Sequence, residues 1–381
     1  MKMGLAMRAR ENQIRGGLAS PERPTQNLKT GGFGLDLGWP IGEAPTKMGG
    51  TLTRPDLNDI RAAHAAIQGV AVETPVIRSA LGSEDAPLWL KLETVQPSGA
   101  FKLRGAANAV AGLSADERRR GVVCCSTGNH GTSVAMAARM AGVPATVCVS
   151  ELVPQVKIDA IRAQGARVVQ KGRSQDDALA ESLRLVAEEG VVEISPFDDP
   201  RVVAGQGTIG FELMRDLPDI ETILVPLSGG GLAAGVAIAA KAMKPTVRVI
   251  GITMDRGAAM YESLRAGHPV EVPEVPSLAD SLGGGIGLQN ELTFGVCGDL
   301  LDEIVLVSEQ EIYRGMQALY RQDRLVAEGA SSVGHAAVLA GKVHLNGPTA
   351  TIITGRNVDM DQFTAVATGQ PVKLGDIEVR A

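Results

Sequence analysis

The stretch GVVCCSTGNHGTSVAMAARMAG, residues 121–142, sets the reading of the fold. Five apolar residues come first (121–125), a run of this length and composition that suits a buried strand. The polar turn STGNHG (126–131) follows, and then an Ala-rich segment, TSVAMAARMAG, with helical spacing. Strand, turn, helix is the start of a parallel-sheet unit, because a parallel strand pair needs a long crossover, usually a helix.

The same grammar repeats outward from it. ATVCV (145–149) and ARVVQ (166–170) read as strands with the helical run VPQVKIDAIRAQG (153–165) between them. TILVPL (222–227) leads through a glycine turn into LAAGVAIAAKAM (232–243), and TVRVIGITM (246–254) and TATIIT (349–354) complete the set. Continuous apolar strands alternating with helices predict an α/β chain whose parallel sheets are covered by helices on both faces. Ligands of such sheets bind beyond the carboxyl ends of the strands. Three turns fall there: Ser126–Gly131, Ser228–Gly231 and Thr354–Asn357.

Bulk properties narrow the function classes. The chain has 381 residues, 44% of them hydrophobic, and 37 basic against 43 acidic side chains, a net charge of −6. That balance disfavours nucleic acid as a partner, and no apolar run reaches the roughly 18 residues that span a membrane. The four cysteines, Cys124, Cys125, Cys148 and Cys297, have neither zinc nor disulfide spacing. They read as small buried hydrophobes of a protein in a reducing, cytoplasmic setting. Residues 1–48 are rich in Gly and Pro without strand or helix period, and read as a disordered extension that is not a secretory signal. Met48 is an alternative start of translation.

Four motifs carry chemistry. In QPSGAFKLRGAANAV (96–110), Lys102 sits behind a Ser-Gly-Ala-Phe turn and ahead of a small-residue helix. A surface lysine needs no such setting, whereas an amine that acts as a nucleophile must be held and partly dried. SGGGLAAG (228–235) presents backbone amides and a helix N-terminus, which suits a phosphate. It also suits an ordinary tight turn, and it is neither a dinucleotide fingerprint nor a nucleotide P-loop. The turn STGNHG offers amides and hydroxyls to a carboxylate and, through Asn129, a donor for a phenolate-like oxygen. Helix capping by Asn129 or His130 is the plainer reading of the same residues.

Together, PSGAFKLRGA (97–106), STGNHG, SGGGL and TGRNVD (354–359), in that order, closely resemble the fold type II pyridoxal-phosphate enzymes. Within them the match is to the threonine/serine dehydratase and serine racemase branch, over about residues 51 to 360. PSLADSLGGGIGLQNELTF (276–294) also resembles the dehydratase of hydroxyectoine utilisation. The resemblance implies a two-lobed fold like that of the tryptophan synthase β subunit. A small domain, 121–198, would be inserted in a large one, 49–120 and 199–381, with pyridoxal 5′-phosphate between them. It implies a homodimer without a C-terminal regulatory domain, acting on a small amino-acid substrate.

The resemblance also distributes roles. Lys102 would be the Schiff-base lysine and the base at Cα, with Phe101 packing on the cofactor ring. Ser228, Gly229, Gly230, Gly231 and Leu232 would hold the 5′-phosphate, and Asn129 the ring's 3′-oxygen. Ser126, Thr127, Gly128 and His130 would receive the substrate carboxylate. Thr354 would face the pyridine nitrogen, where a neutral hydroxyl does not force protonation as a carboxylate would; elimination of a β-leaving group is thereby favoured.

Some positions depart from the family. Thr127 stands where serine racemases carry the serine that serves the opposite face of Cα, so it is either a second catalytic group or a positional one. Arg356 replaces a family glycine and either lines the pocket or points to solvent. Thr253 and Ala259 replace the usual cation ligands, which implies no metal site. Glu328 lies near the ring, followed by Gly329 where proline is usual. The expected activity is dehydration of a 3-hydroxy amino acid to a 2-oxo acid and ammonia. The alternatives are an amino-acid racemase and a non-catalytic cofactor-binding or regulatory protein.

Overall fold

The computed structural model describes residues 52–380, apart from Thr127 and Pro154, and gives the backbone alone for Val156. The expected extension over 1–48 and the role expected of Thr127 lie outside the described residues.

Among the described residues the strands are, in chain order, β1 (Val76–Arg78), β2 (Leu88–Leu92), β3 (Val122–Cys125), β4 (Ala145–Val149), β5 (Arg167–Gln170) and β6 (Val192–Glu193), followed by β7 (Thr222–Pro226), β8 (Arg248–Met254), β9 (Glu303–Val307), β10 (Thr349–Ile353), β11 (Val372–Leu374) and β12 (Ile377–Val379). They build two main sheets. The larger runs β1-β2-β10-β7-β8-β9 and the smaller β5-β4-β3-β6, while β11 and β12 form a separate hairpin. Every neighbouring pair in the main sheets is parallel except the edge pair β1–β2. The chain is thus α/β with two parallel-sheet lobes, as the alternation of apolar runs predicts. Six strands had weaker signals, namely β1, β2, β6, β9, β11 and β12: three of them are only three residues long and β6 is two.

Strand order locates the ligand crevice. From β3 the small sheet grows through β4 to β5, but β6 returns to the other side of β3. From β7 the large sheet grows through β8 to β9, but β10 lies on the other side of β7. At such reversals the loops leaving adjacent strands diverge and open a cleft at the carboxyl ends. The loops after β3, β6, β7 and β10 are therefore the ones positioned to make a site.

The helix Lys102–Ala111 is anchored by an ion cluster in the interior. Arg104, which the sequence reading left without a role, donates to Glu93 (Nε–Oε2 2.8 Å, Nη2–Oε1 2.9 Å) and to Glu212 (Nη1–Oε1 2.5 Å, Nη2–Oε2 2.9 Å). Lys91 Nζ donates to Glu212 Oε2 at 2.6 Å and to the Thr74 carbonyl at 2.7 Å. Lys91, Glu93, Arg104 and Glu212 all have 0% exposure, and their two positive and two negative charges cancel. Burial by itself would raise the Glu212 carboxyl, yet the His64 hydrogen bond, Arg104 and Lys91 hold it well below the usual carboxylate range. Cluster and lysine share one rigid element, since Lys102 is two residues from Arg104.

Candidate active site

Lys102 opens the helix Lys102–Ala111, with Phe101 as its N-cap. The turn before it is sewn to the loop after β10. Phe101 N–H donates to the Thr354 carbonyl, Arg356 N–H donates to the Gly99 carbonyl, each at 2.9 Å, and Ala100 bridges Gly355. Gly99 adopts φ +77, and a Cβ there would come within 2.5 Å of Asn357 Oδ1. The glycine in PSGAFK is thus required by conformation and by space.

The Lys102 amine is half-buried, donates to the Pro196 carbonyl at 2.6 Å and lies 5.3 Å from the centre of the Phe101 ring. Burial lowers its pKa to about 8, against the opposing charge of Glu328. A much larger fraction of neutral amine is therefore present near neutral pH than for an ordinary lysine, the condition for a nucleophile or a base.

Opposite it, Asn129 begins the helix Asn129–Met140, with Gly128 as an N-cap that has no side-chain cap. Asn129 Nδ2 donates to both Glu328 oxygens (3.2 and 3.0 Å), and its Oδ1 accepts from Asn357 Nδ2 at 2.7 Å. Burial raises the Glu328 carboxyl to about 7; the Asn129 bond opposes the rise and Asp280 adds to it. His130 is buried, and its Nε2 is 2.9 Å from the Ile194 carbonyl, which makes Nε2 the proton-bearing nitrogen. Burial, then the Lys102 charge, lowers its pKa to about 3. The ring stays neutral, with Nδ1 a lone-pair acceptor. Donors for an anion in this turn therefore come from the amides at the helix start and from Ser126, whose Oγ accepts from Gly128 N–H at 3.3 Å.

The glycine turn follows β7. Gly230, at φ +89, caps the helix Gly231–Met243 without a side-chain bond. A Cβ on Gly229 would lie 2.2 Å from the Phe197 ring, and one on Gly231 would lie 2.8 Å from Phe197 Cα. Residues 228–232 thus expose free N–H groups at a helix N-terminus, a ready anion site. Thr354, at the end of β10, is 2% exposed and shares a 2.9 Å hydrogen bond with Ser331 Oγ. The Ser331 hydroxyl is fixed in turn by the Gly355 carbonyl (2.9 Å) and the Gly355 amide (2.8 Å).

The loop after β6, ISPFDDP (194–200), was missed from sequence and joins these parts. Ile194 holds His130, Pro196 holds Lys102, Phe197 packs against the glycine turn, and Asp198 accepts from the Thr293 amide at 2.9 Å. Its strand has two residues, too short to announce a strand-end loop. Among the described residues no group of three or more His, Cys, Asp or Glu is placed to hold a metal ion. All four cysteines are buried and free, and burial pushes each thiol up.

A neutral-prone amine, an amide donor, a buried neutral hydroxyl and a turn of three glycines at a helix N-terminus fit a flat, phosphorylated carbonyl compound, as pyridoxal 5′-phosphate is. Known proteins agree with that chemistry. Residues 67–355 match the family model described as pyridoxal-phosphate dependent enzyme. The chain is 50% identical over 321 residues to a putative threonine dehydratase of Sinorhizobium fredii, covering 84% of this chain and 97% of the relative. It is 41% identical over 322 residues to the L-threonine ammonia-lyase of Thermotoga maritima, covering 84% and 80% respectively. The structure of maize serine racemase superposes with a TM-score of 0.76 at 32% identity, covering 81% of this chain and 95% of that one.

Proposed function

The chain belongs to the pyridoxal-phosphate dependent enzymes, as a fold type II dehydratase of the threonine/serine branch with pyridoxal 5′-phosphate as its cofactor, and from that premise we propose how its own residues do the work. The substrate is a 3-hydroxy amino acid, threonine-like or serine-like, and the products are a 2-oxo acid and ammonia. The observation that carries this reading is Lys102, an amine with its pKa lowered to about 8 at the mouth of a helix and within the cleft. When bound, the cofactor supplies the electron sink for the pair left at Cα.

Lys102 would be the residue that holds the cofactor's aldehyde carbon, and its amine, of lowered basicity, would serve as the base at Cα. The amides of Ser228, Gly229, Gly230, Gly231 and Leu232 would hold the phosphate, Phe101 would pack on the ring, and Asn129 would donate to the ring oxygen. Thr354, a hydroxyl where a carboxylate would force protonation, would face the ring nitrogen. Ser126, Thr127, Gly128 and His130 would receive the substrate carboxylate, as the family resemblance implies, the donors being hydroxyls and helix-start amides. Loss of the β-hydroxyl as water gives an enamine, whose hydrolysis takes up one water and releases ammonia.

We assign residues 121–198 to a small domain and 49–120 with 199–381 to a large one; the two separate parallel sheets support that division. A cytoplasmic homodimer is the state we propose, and light scattering after size-exclusion chromatography tests the dimer. The racemase reading has less support, because the relatives by sequence cited above are named for dehydration or ammonia release. The deciding experiment is a panel of 3-hydroxy amino acids, including threonine, serine, 3-hydroxyaspartate and hydroxylated diaminobutyrate. We expect stoichiometric 2-oxo acid and ammonia from at least one. Change of optical rotation without ammonia would select the racemase, and inactivity on all would select the non-catalytic protein.

Glu328 makes the cofactor-free protein pH-sensitive in a defined direction. Its carboxyl rises from 4.5 to about 7 on folding, chiefly through burial. The unfolded chain therefore releases this proton first, and stability falls as pH rises from about 4.5 through 7, by on the order of 3 kcal/mol. Glu328→Gln removes that slope. Melting curves at pH 5 and pH 8 should show the variant gaining on the wild type at the higher pH; parallel behaviour would refute the assignment.

A further inference from the structure

Asn357 stands where three loops of the cleft meet. Its Nδ2 donates to the Ser98 carbonyl at 2.9 Å and to Asn129 Oδ1 at 2.7 Å. Both of its amide protons are thereby used. Its Oδ1 lies in the space left by the missing side chain of Gly99, so the lysine turn itself is shaped around this asparagine. Ser98, Asn129 and Asn357 come from three remote parts of the chain, and one amide ties them together.

The two ends of Asn129 face different partners. Its Oδ1 meets the Asn357 donor, and its Nδ2 meets the Glu328 carboxylate at 3.0 and 3.2 Å. Turning the Asn129 amide over would oppose two NH2 groups at one end and set a carbonyl oxygen against a carboxylate at the other. Repelling polar groups are unfavourable, so the observed sense is the favoured one.

We propose that Asn357 is a positioning residue that fixes the sense of the Asn129 amide, so that an N–H rather than a lone pair is presented to the cofactor's ring oxygen. The inference rests on the cofactor site proposed above. If one Asn129 N–H is shared between the two Glu328 oxygens, the second is left for the ring oxygen, which carries negative charge in the form that an amide donor stabilises. The ring's protonation state is thereby set by a residue whose own bonds are to Ser98 and Asn129.

Asn357→Asp tests the direction of the bond and not merely its presence. It keeps the shape but replaces the donor by an acceptor, so the Asn129 amide loses the partner that favours its observed sense and is repelled by the replacement, and only Glu328 still favours that sense. Asn357→Leu, of similar size, removes the constraint without reversing it. In the holoenzyme, titrated by visible absorbance, we expect Asn357→Asp to move the pH midpoint of the cofactor band by at least one unit, a tenfold change. Asn357→Leu should move it less, and both variants, although they lose the bond to the Ser98 carbonyl, should still fold, as melting curves check. An unmoved midpoint in Asn357→Asp, or a larger shift in Asn357→Leu, overturns the proposal, since a purely packing role would favour neither direction. Should Asn357→Asp not fold, Asn357→Leu alone must still shift the band, and an unmoved band overturns it. A wild type that shows no visible band after addition of pyridoxal phosphate defeats the parent reading instead, and so is told apart from this one.

Discussion

Lys102→Ala will leave a folded protein that neither turns over substrate nor develops the visible band of the bound cofactor. One side chain is asked to do two things, to hold the cofactor covalently and to move the Cα proton. Loss of a positioned acid–base group alone costs about 10²- to 10⁴-fold in rate, and loss of the covalent anchor adds to it. The fold should survive, because the hydrogen bond recorded for the Lys102 amine is to the Pro196 carbonyl. Burial also works against its charged form. Absorbance after addition of pyridoxal phosphate, 2-oxo acid release, and mass analysis of borohydride-treated wild type check the three consequences. An adduct on a peptide that does not contain Lys102, or a variant that retains turnover, would overturn the site.

Arg104→Met will do the reverse, and damage the fold ahead of the chemistry. The substitution leaves Glu93 and Glu212 in the interior with Lys91 as the remaining buried cation. Removing one partner of a buried ion pair typically costs 3–5 kcal/mol, mostly from the charge left behind. For a domain of this size that is a fall in melting temperature of roughly 10 °C. The double variant Arg104→Met with Glu93→Gln should recover part of the loss, because one stranded carboxylate becomes neutral. A single variant that melts with the wild type, or a double variant that melts below the single, would show that the cluster does not hold the lysine helix in place.

The two variants separate what could be read along the chain from what could not. The strand of GVVCC and the helix after STGNHG were legible because buried parallel strands and covering helices leave a local apolar pattern, and β3 is buried throughout. The sequence reading singled out Lys102, Asn129, the glycine turn and Thr354 because each sits at the end of a recognisable strand or inside a familiar motif, and the structure brings their loops to the carboxyl ends of the two sheets. ISPFDDP left no comparable mark, since its partners are backbone carbonyls and a ring face whose use depends on where β6 lies. Arg104 was legible as a residue and illegible as a role: its carboxylates are 11 and 108 positions away, and only closure of the fold brings them to one point.

Local pattern was enough for the α/β class and the carboxyl-end turns, because those depend on short-range periodicity and on residue chemistry. It could not decide the Lys102 amine's lowered basicity, the raised Glu328 carboxyl or the sense of the Asn129 amide. Desolvation and hydrogen-bond partnering come from atoms remote in the chain, and they take values only when the sheets, helices and loops are packed together.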